Sequence, residues 1–219
     1  MRAFLIALPM LMWASSAAAK AERSADVGVV SDYRFRGIDL SRGRPALQAS
    51  ISVEDSLGFY GQIWSSTLGH GSGTELDFSG GYDAEISDQL SLDASANLYT
   101  YPSGSDPNYV ELTGSATFTR GPASAKLEMS YVPPQGRTHG NTYVSTEASY
   151  EIPKSPVSLT ATLGYERGWF DEVEHGGKLD WSLGAEIPIK PAKFCLTYVG
   201  SNADVSDGHA LVAAAFVSF

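Results

Sequence analysis

The chain has 219 residues, 43% hydrophobic content, 18% charged residues and a formal net charge of −10, which is enough chain for one substantial domain and too apolar for a disordered one. The acidic balance disfavours nucleic acid as a partner. A single cysteine, Cys195, excludes an internal disulfide.

At the start, Arg2 precedes the apolar run AFLIALPMLMWA, and Ala17-Ala18-Ala19 follows as a small-residue cleavage pattern. This predicts a signal peptide over residues 1–19 and a mature chain over 20–219. The run contains Pro9 and is about a dozen residues long, short of the about 20 that a spanning helix needs.

Beyond it, no window carries a helical period of useful length, whereas period-two alternation recurs between clusters of Gly, Pro, Asn, Asp and Ser. In TELDFSGGYDAEI, Leu76, Phe78, Tyr82, Ala84 and Ile86 alternate with Glu75, Asp77, Asp83 and Glu85. Segmenting at the turn signals predicts strands at 25–36, 45–54, 58–66, 74–86, 90–101, 109–119, 123–132, 141–152, 157–166, 178–187, 192–201 and 209–219. Most have the length a tilted strand needs to cross a hydrocarbon layer. The connections alternate: 37–44, 67–73, 102–108, 133–140, 167–177 and 202–208 are long, while DSL, SDQ, RGP, PKSP and PIKPA between them are short. Long outer loops and short periplasmic turns belong to outer-membrane barrels. The expected fold is therefore all-β, a transmembrane up-and-down antiparallel β-barrel of about 12 strands in the bacterial outer membrane, with outer-membrane lipids around it.

Strand direction then assigns the faces. In SDYRFRG, Tyr33 and Phe35 are expected to face lipid, with Asp32, Arg34 and Arg36 facing the lumen. Tyr33, Phe35, Tyr131, Tyr165, Trp181 and Tyr198 form one expected aromatic girdle, and Tyr82, Phe118, Tyr150, Phe194 and Phe219 the other. Two strands fit less well: GFYGQIWSS alternates weakly, and Val212, Ala214 and Phe216 put apolar groups on the lumen side. The closing ALVAAAFVSF resembles the C-terminal strand that the barrel assembly machinery reads, ending on Phe219.

The stretch SDYRFRGIDLSRGRPALQ, through Ser31, Asp32, Tyr33, Phe35, Arg36, Gly37, Ser41, Pro45, Ala46 and Gln48, resembles the TorF family of porins, also known as Gcw_chp. Tyr109-Val110-Glu111-Leu112, Asp180-Trp181-Ser182-Leu183-Gly184 and the final FVSF extend the resemblance over the mature chain. It implies a signal peptide, an outer-membrane barrel and a transport role, with no substrate and no catalytic residues to carry over.

The expected lumen face is acidic. Asp32, Glu54, Glu75, Asp77, Asp83, Glu85, Asp93, Glu111, Glu128, Glu147, Glu151, Glu166, Asp180 and Glu186 stand against Arg34, Arg36, Lys126, Lys178 and Lys193. Two readings stay open: a field favouring cations or neutral polar solutes in a porin, or charged ladders bracing the filled lumen of a structural or adhesive barrel. Side chains can close a lumen whose backbone radius is about 12 Å. Tyr99, Tyr101, Tyr109 and Tyr143 are expected in one vestibule, where their rings would contact a flat solute. His70, His139, His175 and His209 fall in or beside the long loops without metal-ligand spacing. A lipid-modifying enzyme needs a serine and a histidine held on rigid strands. Only His209 approaches a strand and no nucleophile elbow is present, so no enzyme, metal or cofactor is expected.

Overall fold

A computed structural model describes residues 21–69, 73–104, 106–204 and 208–219. The expected signal peptide lies outside the described residues. Twelve strands close into one antiparallel barrel: β1 (Glu22–Val30), then β4 (Ala46–Glu54), β5 (Phe59–Thr67), β6 (Thr74–Ser87), β7 (Leu90–Thr100), β8 (Tyr109–Arg120), β9 (Ala123–Val132), β10 (Asn141–Glu151), β11 (Ser158–Gly168), β12 (Lys178–Ile189), β13 (Ala192–Ser201) and β14 (His209–Ser218). The two short strands between β1 and β4, namely β2 (Arg34–Phe35) and β3 (Ile38–Asp39), stand apart from the wall. Each wall strand pairs with its sequence neighbours, and β1 closes the ring on β14 from Asp26↔Ser218 to Val30↔Ala214. Among the described residues, no strand of the barrel wall is left without a partner on either side, as a sheet in hydrocarbon requires.

The side-chain alternation turns a soluble protein inside out. Leu47, Ile51, Leu183 and Leu211 are 64, 65, 61 and 65% exposed, while Glu75, Glu166 and Lys178 are 2, 1 and 1% exposed. An apolar surface of this extent matches lipid rather than water. Tyr131, Tyr165 and Tyr198 at the long-loop end and Tyr82, Phe118, Tyr150, Phe194 and Phe219 at the short-turn end are exposed, so both girdles form.

Tyr33 and Phe35 do not join them. The first wall strand ends at Val30, six residues before the expected end at 36, and Ser31 ties it off against β14: its amide donates to the Ala213 carbonyl at 2.8 Å and its hydroxyl accepts from the Ala213 amide at 2.9 Å. Residues 32–41 then fold into the barrel, with Tyr33 buried, and the exposed residues 42–45 lead back to β4. The physical reason lies in the two strands that fitted poorly. Val30, Tyr33 and Ala46 form a buried apolar cluster, against which Phe35, Leu40, Trp64, Leu68, Val212, Ala214 and Phe216 pack. Tyr33 lies 5.4 Å from Trp64, ring to ring. The lumen-facing Trp64, Val212, Ala214 and Phe216 are thus an apolar pad inside the barrel, and the inserted segment covers it. The pad also requires Gly28, since a Cβ there would fall 2.3 Å from the Phe216 ring.

The faces predict unequal costs for charge. Leu112 is 50% exposed to lipid, whereas the Thr113 hydroxyl turns inward, 3.0 Å from Ser130. Leu112→Arg should destabilise the barrel by about 2–4 kcal/mol in urea titrations from lipid vesicles, and Thr113→Arg by markedly less. Equal losses would contradict the facing.

Candidate functional site

The inserted segment is a small hairpin. β2 and β3 pair through Arg34↔Asp39 and Phe35↔Ile38, leaving Arg36 and Gly37 as a two-residue turn. Both have positive φ, 48° and 80°, as tight hairpin turns of the primed type require. Glycine adopts this freely; Gly37 also lies where a Cβ would meet Ser201 at 2.6 Å. Arginine does so only at a cost, and Arg36 must be held.

Three groups on the opposite wall hold it. Its guanidinium donates twice to Glu111 of β8, at 2.8 and 2.9 Å, and once to Glu166 of β11, at 3.2 Å. It also lies 4.0 Å above the Tyr143 ring of β10. Glu166 is shared: Lys178 of β12 pairs with its other oxygen, Oε2, and the Asn141 side-chain amide donates to Oε1, the oxygen that Arg36 contacts, at 2.9 Å. Elsewhere the hairpin is moored by Tyr33, whose hydroxyl donates to Glu75 of β6 at 2.8 Å, and by Ser201, whose hydroxyl donates to the Gly37 carbonyl at 3.4 Å. Its base closes on itself: the Tyr33 amide and Arg34 Nε donate to Ser41 Oγ and Asp32 at 2.7 and 2.6 Å, and Ser41 Oγ donates to Asp32 at 2.9 Å.

The charges follow these contacts. Burial works against the Asp32 carboxylate, but Arg34 and Ser41 outweigh it and hold its pKa below the usual range. Burial and the neighbouring Asp32 push Asp39 up. Burial likewise works against the Arg36 cation, which Glu111 and Glu166 more than restore.

The hairpin divides the lumen. Toward the long-loop end, a cavity of about 450 Å³ is lined by Tyr101, Tyr109, Trp169, Phe170 and the upper side of the hairpin; beneath it, one of about 530 Å³ reaches Tyr99, Tyr143, Asp93, Lys126, Glu128 and Glu147. Phe35 and Arg36 line both. The four tyrosines expected in one vestibule are therefore split: Tyr101 and Tyr109 above the hairpin, Tyr99 and Tyr143 below it. Tyr99 and Tyr109 still stack at 4.7 Å. At the short-turn end a third cavity, about 570 Å³, is lined by Glu22, Glu54, Asp55, Asp83 and Glu85.

Of the other expected lumen residues, Glu75 and Asp77 are buried beside the hairpin, Glu75 accepting from Tyr33 and from Tyr101 at 3.0 Å. Asp77 Oδ1, Asp180 Oδ2 and Arg34 Nη1 are buried without a hydrogen-bond partner. Lys126 pairs with Glu128 at 2.7 Å and Lys193 with Glu186 at 3.2 Å, both partly exposed. Sequence reasoning missed Trp169 and Phe170, which reach the upper cavity from a long loop, and Asn141 and Ser201, which moor the network. Among the described residues, no group of three His, Cys, Asp or Glu side chains is placed to hold a metal. His70 lies outside them; His139 packs on Trp169, His209 on Trp181 and Tyr198, and His175 bonds its own loop at the Glu174 carbonyl.

A closed sheet with an apolar belt, two aromatic girdles and a charged interior is an integral β-barrel of the bacterial outer membrane. The chain belongs to the Gcw_chp family, described as bacterial protein of unknown function, which matches residues 14–217. Among curated proteins none matches it. Among solved structures its barrel is similar to that of the KdgM porin, with a TM-score of 0.66 at 12% identity over 90% of this chain and 99% of that one. KdgM porin in complex with disordered oligogalacturonate matches equally. The NanC porin matches with a TM-score of 0.58 at 8% identity, over 90% and 98%. At these identities the likeness is one of fold.

The Arg36 anchor yields a measurable expectation. Removing one partner of a buried ion pair costs about 3–5 kcal/mol, and Arg36→Met leaves Glu111 uncompensated while Lys178 still neutralises Glu166. A loss toward the lower end of that range is expected in vesicle unfolding. Lys126→Met, at a partly exposed pair, should cost at most about 1 kcal/mol.

Proposed function

We propose that this protein is a porin that passes small polar solutes or ions, with a preference for cations. The observation that supports the sign is the uneven use of lumen charge. Arg34, Arg36, Lys126, Lys178 and Lys193 each have a carboxylate partner. Asp83, Glu85, Asp93 and Glu147 have no cation within ion-pair distance among the described residues. The surplus negative potential attracts cations and repels anions. The oligogalacturonate named with the KdgM porin is a polyanion, so the charge of this lumen argues for a different cargo on the same fold.

A filled structural barrel is the second reading, favoured by the hairpin that spans the lumen. Planar-bilayer recordings separate the two. The porin reading expects small cation-selective channels whose selectivity falls between 0.1 and 1 M salt, as the screening length shrinks from about 10 to about 3 Å. Neutralising Asp83 and Glu85 together should shift the reversal potential toward anions with little loss of stability, because neither anchors the hairpin. Folded protein that never conducts rejects the porin reading and leaves the structural one.

The last strand supports a further part of the proposal, recognition by the barrel assembly machinery. Phe219 is 80% exposed beside the β1–β14 seam, its amide donating to the Ala25 carbonyl at 2.9 Å. Deleting Phe219 should lower the amount of assembled, heat-modifiable barrel in cells; an unchanged yield at native expression would remove that role.

A further inference from the structure

The upper cavity differs from the rest of the lumen in its walls. Phe35, Ile38, Leu40 and Leu68 close its floor and side, while Tyr109, Trp169 and Phe170 bring aromatic groups from β8 and the β11–β12 loop. Phe170 lies 4.7 Å from Tyr109, whose other neighbour is Tyr99, so the rings form a continuous aromatic bank. The Phe170 amide donates to Asn141 Oδ1 at 3.1 Å, which fixes the loop to the barrel rim. A rigid apolar bank of this kind selects a solute with a flat apolar body.

The ionisable groups of the same cavity set the sign of the rest of that solute. Its two cations are already committed: Arg36 to Glu111 and Glu166, and Lys178 to Glu166. That leaves Asp39, Asp106 and Glu172 on the cavity wall. Asp39 Oδ1 accepts from the Ser41 amide at 2.9 Å and its one ion pair among the described residues is with the edge of Arg34, at 3.8 Å, while neither Asp106 nor Glu172 has an ion-pair partner among the described residues. Glu172 is kept at the rim by a left-handed backbone, φ 49°, while its carbonyl accepts from the Asp204 amide at 3.1 Å. Aromatic faces and uncompensated carboxylates both attract an organic cation, the first through the ring quadrupole and the second through charge.

We infer that the cavity above the hairpin is a binding site for an organic cation with a flat apolar body, such as an aromatic amine. This rests on the porin reading for its biological use, since it names the class of solute gathered above the hairpin, but the binding itself does not. The site discriminates twice: the aromatic bank rejects small hydrated cations, and the carboxylates reject an aromatic acid of the same shape.

Titration calorimetry on the folded full-length barrel in neutral detergent, with phenethylammonium as the probe, tests it. Binding should weaken with added salt and should fall at least tenfold for the neutral analogue 2-phenylethanol and for the anion 3-phenylpropionate. Trp169→Ala and Glu172→Gln, both at exposed loop positions, should each weaken the amine at least tenfold while the barrel keeps its heat-modifiable mobility. If Trp169→Ala does not fold, Glu172→Gln with Glu172→Asp as its conservative rescue carries the test. Equal affinity for the three probes, or folded variants that bind like the parent, would overturn the site. Bilayer recordings keep the two readings apart: binding without conductance rejects the porin and keeps the site, whereas cation-selective conductance without binding or block by the amine keeps the porin and rejects the site.

Discussion

Hydrocarbon offers nothing for a backbone amide to bond, and the whole molecule follows from that deficit. A sheet can lie in such a solvent only if it has no edge, so β1 must find β14. Once the ring closes, one face of every strand is committed to lipid and the other to the enclosed space. Charge that would sit on the surface of a soluble protein has only the interior left to occupy. Glu75, Glu166 and Lys178, among the most buried side chains of the molecule, are there because the outside is worse.

The interior then has to solve its own problem, since enclosed charges lose much of their hydration. Here the solution is the Arg36 turn. A non-glycine residue in the left-handed region costs about 1–3 kcal/mol, and Arg36 tolerates it because that backbone aims the guanidinium across the lumen at two carboxylates and an aromatic face. The bidentate contact with Glu111 is the kind of charge-assisted pair that fixes geometry as well as energy. The contacts of the desolvated guanidinium thus offset the strained backbone, and the hairpin becomes a fixed element.

Periodicity made the wall readable. A strand of two-residue repeat between lipid and water shows its facing directly, and eleven of the twelve wall strands begin and end within about two residues of where the alternation and turn signals put them. The first strand misled because SDYRFRG alternates as cleanly as a lipid-facing strand, although its apolar residues serve an interior pad. The corrective signal was present elsewhere: Trp64, Val212, Ala214 and Phe216 point apolar groups at a lumen that should be polar, and such a patch demands an apolar cover. Arg36-Gly37, with Phe35 and Ile38 on either side, is also a credible tight turn. What no period reveals is which charges meet. The partners of Arg36 lie 75 and 130 residues away, and only the curvature of the closed ring brings β8 and β11 within reach of one side chain. Trp169 and Phe170 were unreadable for a related reason, because a loop residue has no face until the barrel beneath it gives it one.

That same separation orders events during folding. The hairpin follows the first wall strand directly, yet four of its moorings are 42, 75, 130 and 164 residues distant, so these form only when β6, β8, β11 and β13 stand around it. Contacts of such range are slow to form and are made late. The wall can assemble strand by strand from neighbouring pairs, whereas the lumen network forms only around a finished ring. In a chain that has inserted but not closed, Arg34 already has Asp32 within its own segment, whereas Arg36 has no carboxylate to meet, and the locking of Arg36 marks the moment at which the cylinder is complete.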